Sequence, residues 1–330
     1  PGVAIVAVTD ETLDAYPYRV PVDRRLLAQL VARIDEAGPA AIGLDFLFVR
    51  PTEATKDAAL ENAIRAARSR VVIAVGDRRV DLTDRQRTYQ KAFLQNSGAA
   101  AGYANLLTGD DRVVRYLAAT ADPEFPTSFA AGLVAKDPAS ASEEPRRIAW
   151  LQRPGSGDDR FLIVPAHLIV AAEGSAPSPA SAALLKLLSG RIVLIGARLP
   201  DLDRHQTPLA SWHGDDEMAG VDIHAQLVAQ LLDGRVVARV GDWPFRAALA
   251  ALVLVGVWLG ARHGIAGYTV YAGTVTLAVG LLDAALFAAL RQFIPFGACV
   301  AALIAGLVVG IVLRRLAQPS QPEPAPVAGG

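Results

Sequence analysis

Two patterns of hydrophobic and polar positions divide this chain. Up to about residue 240, short apolar runs alternate with stretches whose apolar residues recur every three or four positions; after that, long apolar runs follow one another with very short breaks. The short runs, at 3–9, 41–47, 71–75, 99–104 and Ile192–Ala197, are apolar at nearly every position. Strands of that kind are buried on both faces, so they predict a sheet covered by helices on each side. The intervening stretches at 23–37, 57–67, 84–95, 128–134 and 218–233 are amphipathic. In the first of them Leu26, Leu27, Leu30, Val31 and Ile34 form one face, Asp23 supplies a capping oxygen and Gly38 ends the helix. Strand and helix in alternation predict an α/β domain with a doubly wound, mostly parallel sheet. Between 118 and 179 the pattern weakens, and the runs 147–152 and 160–164 predict a hairpin-like insertion turning at Pro154, Gly155 and Gly157.

The long apolar runs cover 245–261, 268–290 and 293–313. A bilayer core about 30 Å thick needs about 20 apolar residues of helix, so each run can cross it, and together they predict a three-helix transmembrane bundle. Asp283 stands inside the second run. An ionisable residue within a span is a functional candidate, unless it faces the bundle and meets water or Arg291. On the third run Ala298, Ala302, Gly306 and Gly310 recur every fourth position, a small-residue stripe that lets helices approach closely, within one bundle or across a homodimer. The predicted organisation is a water-soluble head at 1–240, a membrane block at 241–317, and a Pro-rich linker or tail at 318–330 carrying Pro319, Pro322, Pro324 and Pro326.

Loop charge orients the block. Arg262 and His263 follow the first run and Arg314 and Arg315 the third, against Arg291 alone between the second and third. The positive-inside rule places the Arg262 loop and the C-terminus in the cytoplasm and the head outside. With 32 basic and 33 acidic residues there is no excess of charge to bind nucleic acid. Cys299 is the single cysteine, so the head stands without an intrachain disulfide. No leader precedes the first strand run, and the expectation is that the export signal lies upstream.

In an open α/β sheet, ligands bind beyond the carboxyl ends of the strands. Those ends carry Asp10, Asp45, Asn105 and Arg198, followed by the polar loop 198–208 with Asp203 and His205; His224 follows on the helix 218–233. These residues are the candidate ligand site. Asp45, Asp203, His205 and His224 have side chains suited to a divalent metal, but their spacing matches no compact metal motif, and the competing reading is that the histidines bind loop backbone while the aspartates cap helices. His213 reads as a solvated loop residue. No nucleophile elbow, phosphate loop, dinucleotide fingerprint or kinase motif set occurs, so the head reads as a binder with no catalytic constellation and no cofactor beyond that candidate metal.

Stretches at both ends of the head resemble a known family. They are Val20-Pro21-Val22-Asp23-Arg24; the run from Ala37 through Gly43-Leu44-Asp45-Phe46 to Phe48; and Gly190-Arg191-Ile192-Val193-Leu194-Ile195-Gly196, continuing through Asp203-Arg204-His205-Gln206-Thr207-Pro208 to Ala219-Gly220-Val221-Asp222-Ile223-His224-Ala225. The sequence is similar to the bacterial CHASE type 2 domains. That resemblance implies an extracytoplasmic sensory domain in the inner membrane, held between an N-terminal transmembrane helix and three C-terminal ones. It also implies a cytoplasmic output such as a cyclase or kinase, which this sequence does not contain. The expected function is a membrane-anchored sensory input module for a small ligand, an ion or a periplasmic protein, working as a homodimer in the lipid bilayer. The alternative is an assembly protein that uses the α/β domain to oligomerise.

Overall fold

The computed structural model describes residues 2–120, 122–134, 144–151, 160–170, 179–209 and 217–317. The expected turn at Pro154, Gly155 and Gly157, the loop residue His213 and the tail at 318–330 lie outside them. The chain divides into two compact units, Pro1–Arg235 and Val236–Gly330.

The first unit runs, in chain order, through β1 (Val3–Val8), α1 (Asp10–Leu13), α2 (Arg24–Glu36), β2 (Ala41–Asp45), α3 (Ala54–Ala66), β3 (Arg70–Val75), α4 (Asp84–Ser97), β4 (Ala100–Tyr103), β5 (Leu106–Thr108), β6 (Val114–Leu117), α5 (Phe129–Val134), β7 (Arg146–Arg147), β8 (Leu162–Pro165), α6 (Pro179–Leu188), β9 (Ile192–Ala197), β10 (Arg204–His205), β11 (Met218–Ala219) and α7 (Gly220–Leu232). Six strands form one sheet in the order β4-β3-β2-β9-β1-β8, and every pairing in it is parallel. Late in the sequence, β9 slips between β2 and β1, so that Ile195 pairs with Leu44 on one side and Val6 on the other.

Both faces are covered, as the fully apolar strands require. Leu27 and Leu30 of α2, Leu60 of α3 and Phe93 of α4 join one core; Phe129 and Leu133 of α5 with Val221 and Leu227 of α7 join the other. The sheet is therefore doubly wound. Asp23 caps α2 by accepting from the Arg25 and Leu26 amides at 2.8 and 3.3 Å, and Gly38 takes a φ of 66° just after the helix. Helix α3 starts earlier than its apolar pattern suggests. Asp57 lies inside its first turn and accepts the Thr52 amide and hydroxyl at 2.8 and 2.7 Å, tying down the loop before the helix.

The antiparallel insertion is built from different strands than expected. β5, β6 and β7 form a small antiparallel sheet, while Leu162–Pro165, read from sequence as a hairpin arm, pairs in parallel with β1 at the edge of the main sheet. Its Leu-Ile-Val run has the composition of a main-sheet strand, and Val164 joins the α2-side core. Helix α7 is fastened to the insertion by two glutamines one turn apart: Gln226 Oε1 accepts the Leu151 amide and Gln230 Oε1 the Ala149 amide.

In the second unit, β12 (Ala238–Arg239) and β13 (Gln292–Phe293) pair in parallel, and the helices α8 (Asp242–Arg262), α9 (Ile265–Leu290) and α10 (Phe296–Ala317) are each long and apolar enough to cross a membrane. The third helix begins later than the apolar run, because Phe293 belongs to β13 and Pro295 favours an extended residue before it. Asp283 accepts the Ile294 amide at 2.6 Å. Its carboxylate thus holds the turn between α9 and α10, while Arg291 takes a φ of 54° and lies over the Phe287 ring.

Candidate functional site

Beyond the carboxyl ends of β2, β3, β4 and β9 lies a crevice of about 540 Å³. The end of β3 is pinned where the Gln90 amide both donates to and accepts from the Gly76 backbone, at 3.1 and 3.2 Å. The loop after β9 comes back so that β10 pairs with β11 immediately before α7. Asp203 opens β10 with a φ of 52°. Its carbonyl accepts the Gly220 amide at 3.0 Å, and its carboxylate passes so close that a Cβ on Gly220 would stand 2.1 Å from Oδ2. Only glycine fits the first position of α7 there. A carboxylate at a helix N-terminus also has the favourable sign.

Asp45, Asn105, Asp203, His205 and His224 all line this crevice. Asp203 Oδ1 lies 2.9 Å from His205 Nε2. His224, on the first turns of α7, is buried, with its ring edge-on to Phe129 at 5.4 Å and its Nε2 3.8 Å from Asp45 Oδ1. That spacing is too long for a hydrogen bond. Asp10 and Arg198 are not part of the lining. Asp10 pairs with Arg19 at 2.6 Å, and Arg198 donates from Nε to Asp222 Oδ2 at 3.0 Å.

The electrostatics follow from burial. Burial raises the Asp45 pKa well above the ordinary carboxylate range, and the nearby charge of Asp203 adds to it. Burial also lowers the His224 pKa to about 4, against the opposing pull of Asp203. Asp203 is pushed up by burial but pulled below its usual value by the His205 hydrogen bond, the histidine charges and the Gly220 amide. At neutral pH His224 is therefore neutral. The metal candidates Asp45, Asp203, His205 and His224 line the crevice as two pairs, and among the described residues no three His, Cys, Asp or Glu side chains are grouped to hold a metal ion.

Sequence reasoning missed Arg24 and Arg50, which also line the crevice. Arg24 is buried on the first turn of α2, its guanidinium carbon 4.4 Å from the Phe48 ring centroid. Its signal was legible: it shares the apolar face with Leu27, Ala28 and Val31, and a charge on such a face needs a reason.

The family model of the CHASE2 domain matches residues 1–262, which take in the whole first unit and the first long apolar helix. The chain belongs to the CHASE2 family. CHASE2 domains are extracytoplasmic sensory modules linked to a membrane anchor, and they are not catalytic. The CHASE2 head of this protein faces out of the inner membrane and the chain beyond its third span lies in the cytoplasm, in the orientation that the loop charges predict. No curated protein and no solved structure matches the chain.

Proposed function

We propose that this protein is a sensory input module whose ligand site is the crevice at the carboxyl edge of the CHASE2 sheet. The observation that carries this reading is the crevice itself: a mostly apolar cavity of about 540 Å³ with a few polar side chains brought in from separate elements. That is the usual make-up of a small-molecule site. Its floor includes Gly220 and His224 of α7, and α7 is followed by a short connection into the first span. A ligand pressing on α7 would shift that connection, and the shift would pass as a change between packed arrangements of the spans. The working form is a homodimer that drives a cytoplasmic output domain.

The test uses the full chain in lipid nanodiscs, melted in the presence of amino acids, organic acids, polyols and divalent cations in turn. A ligand at one hundred times its Kd stabilises the folded state by about 2.7 kcal/mol. The expected result is a saturable stabiliser whose effect is lost in Ala104→Trp, which fills the crevice. An assembly protein would instead show the same cross-linked oligomer and the same span spacing whatever compound is added, and that result would exclude the sensory reading.

A further inference from the structure

The crevice leaves its own polar groups incompletely paired, and the pattern of what is missing describes a ligand. The Arg24 side chain is 2% exposed, and its nearest carboxylate, Asp57, stands 3.6 Å from Nε. That carboxylate already accepts the Thr52 amide, the Thr52 hydroxyl and the Tyr89 hydroxyl. Arg24 Nε has no hydrogen-bond partner among the described residues. Beyond its contact with the Phe48 ring, this buried cation is incompletely matched, which is costly unless something completes it. Arg50 brings a second, more exposed cation to the same crevice. Asn105 Oδ1 and His224 Nδ1 are likewise buried without partners. The rest of the wall is largely apolar, with Val22, Phe46, Leu47, Val75 and Leu106 among its residues.

Each feature narrows the chemistry. A guanidinium fork matches the planar geometry of a carboxylate. The apolar wall requires an apolar body. The α7 N-terminus, which could otherwise attract a phosphate, is already occupied by the Asp203 carboxylate, so further negative charge near it is repelled. The unpartnered Asn105 oxygen calls for a hydrogen-bond donor on the ligand.

We propose, resting on the reading of the crevice as the ligand site, that it takes a small organic monocarboxylate: the carboxylate on Arg24, a compact apolar body against the wall, and a hydroxyl or amide donor toward Asn105.

A matched series tests this by titration calorimetry on the full chain in nanodiscs. The probes are 3-(4-hydroxyphenyl)propionate, its primary amide, the corresponding amine, and 3-phenylpropionate, which lacks the hydroxyl. The acid is expected to bind at one site, with the amide and amine weaker by about tenfold or more and the des-hydroxy acid weaker by a smaller factor. Arg24→Met should bring the acid down to the affinity of the amide while leaving the amide unchanged. Should that variant fail to fold, the acid-to-amide ratio in the unaltered protein decides alone. Equal affinities for acid, amide and amine, all abolished by Ala104→Leu, would overturn the carboxylate assignment and leave the crevice a ligand site. Absence of binding by the whole series up to millimolar concentration would also overturn the assignment, and the Ala104→Trp melting experiment would then judge the site independently.

Discussion

His224 and Asp45 respond to acid in opposite directions, because both are buried and each is pushed toward its neutral form. His224 takes up its proton near pH 4 in the folded protein but near 6.5 when unfolded. Below 6.5 the unfolded chain therefore binds the proton first, and stability falls as the pH drops toward 4. At one pKa unit per 1.36 kcal/mol, the loss reaches about 3 kcal/mol. Asp45 works the other way: the folded state holds its proton more tightly, so its contribution rises on acidification and is lost as pH climbs through the folded pKa. Denaturant midpoints at pH 7.5, 5.5 and 4.5 should show His224→Gln gaining stability relative to the wild type as the pH falls. Asp45→Asn should be more stable than wild type at pH 7.5 and should lose that advantage as the pH falls. A His224→Gln profile parallel to the wild type would contradict the assignment. The sequence shows why these two groups meet, since one ends β2 and the other follows the polar loop after β9. It does not show that Asp10 and Arg198, at equivalent strand ends, turn away to Arg19 and Asp222. Those partners come from elements whose approach only the fold decides.

At the scale of single elements, the strongest local signals were caps and periodicity, and they located α2 almost to the residue. Asp23 is a cap that does more than cap, because its second oxygen also accepts Lys56 Nζ at 2.6 Å and so ties α2 to α3. Asp23→Ala should cost about 1–2 kcal/mol from the cap alone, with more from the stranded lysine. Asp23→Asn, which keeps the capping oxygen, should recover the cap and not the ion pair. Urea unfolding of the two variants separates these contributions. The Asp203 loop offers a sharper case. Gly220→Ala places a methyl where the Asp203 carboxylate lies, so the β10–β11 turn must move. The expected outcome is a destabilisation of about 1–3 kcal/mol, with increased amide exchange at Arg204 and His205. The weak stretch from 118 to 179 resisted reading for a physical reason. β7 has two residues and β8 four, too short for a two-residue period to show which sheet each joins. Parallel pairing with β1 is a long-range choice that leaves no local mark.

At the scale of the whole chain, the membrane block was legible from hydropathy and loop charge, but what its polar and small residues do was not. Asp283 has the sequence look of a functional intramembrane charge, yet its carboxylate spends an oxygen on the Ile294 amide freed by the break before Pro295. The small-residue stripe likewise has an occupant within the block. Cβ atoms on Gly306 and Gly310 would stand 2.1 and 2.2 Å from the carbonyl oxygens of Val253 and Val257, and those on Gly256 and Gly260 would stand 2.4 Å from the carbonyls of Leu303 and Leu307. The first and third spans therefore interlock glycine face to glycine face, backbone against backbone, which leaves Gly306 and Gly310 unavailable for a dimer seam through the same face. A side chain at Gly306 cannot be absorbed by a rotamer change, since the obstacle is main chain. Gly306→Ile should force the two spans apart and destabilise the membrane block by about 1–3 kcal/mol, while the CHASE2 unit, whose core is separate, keeps its melting midpoint. A spin label pair on the cytoplasmic ends of the first and third spans would report the separation, with Cys299 replaced by Ala so that only the introduced cysteines carry label. If the label distance is unchanged in Gly306→Ile, the seam is not what holds these spans together. If the distance grows while the head keeps its melting midpoint, the seam holds these two spans together and the head folds without it.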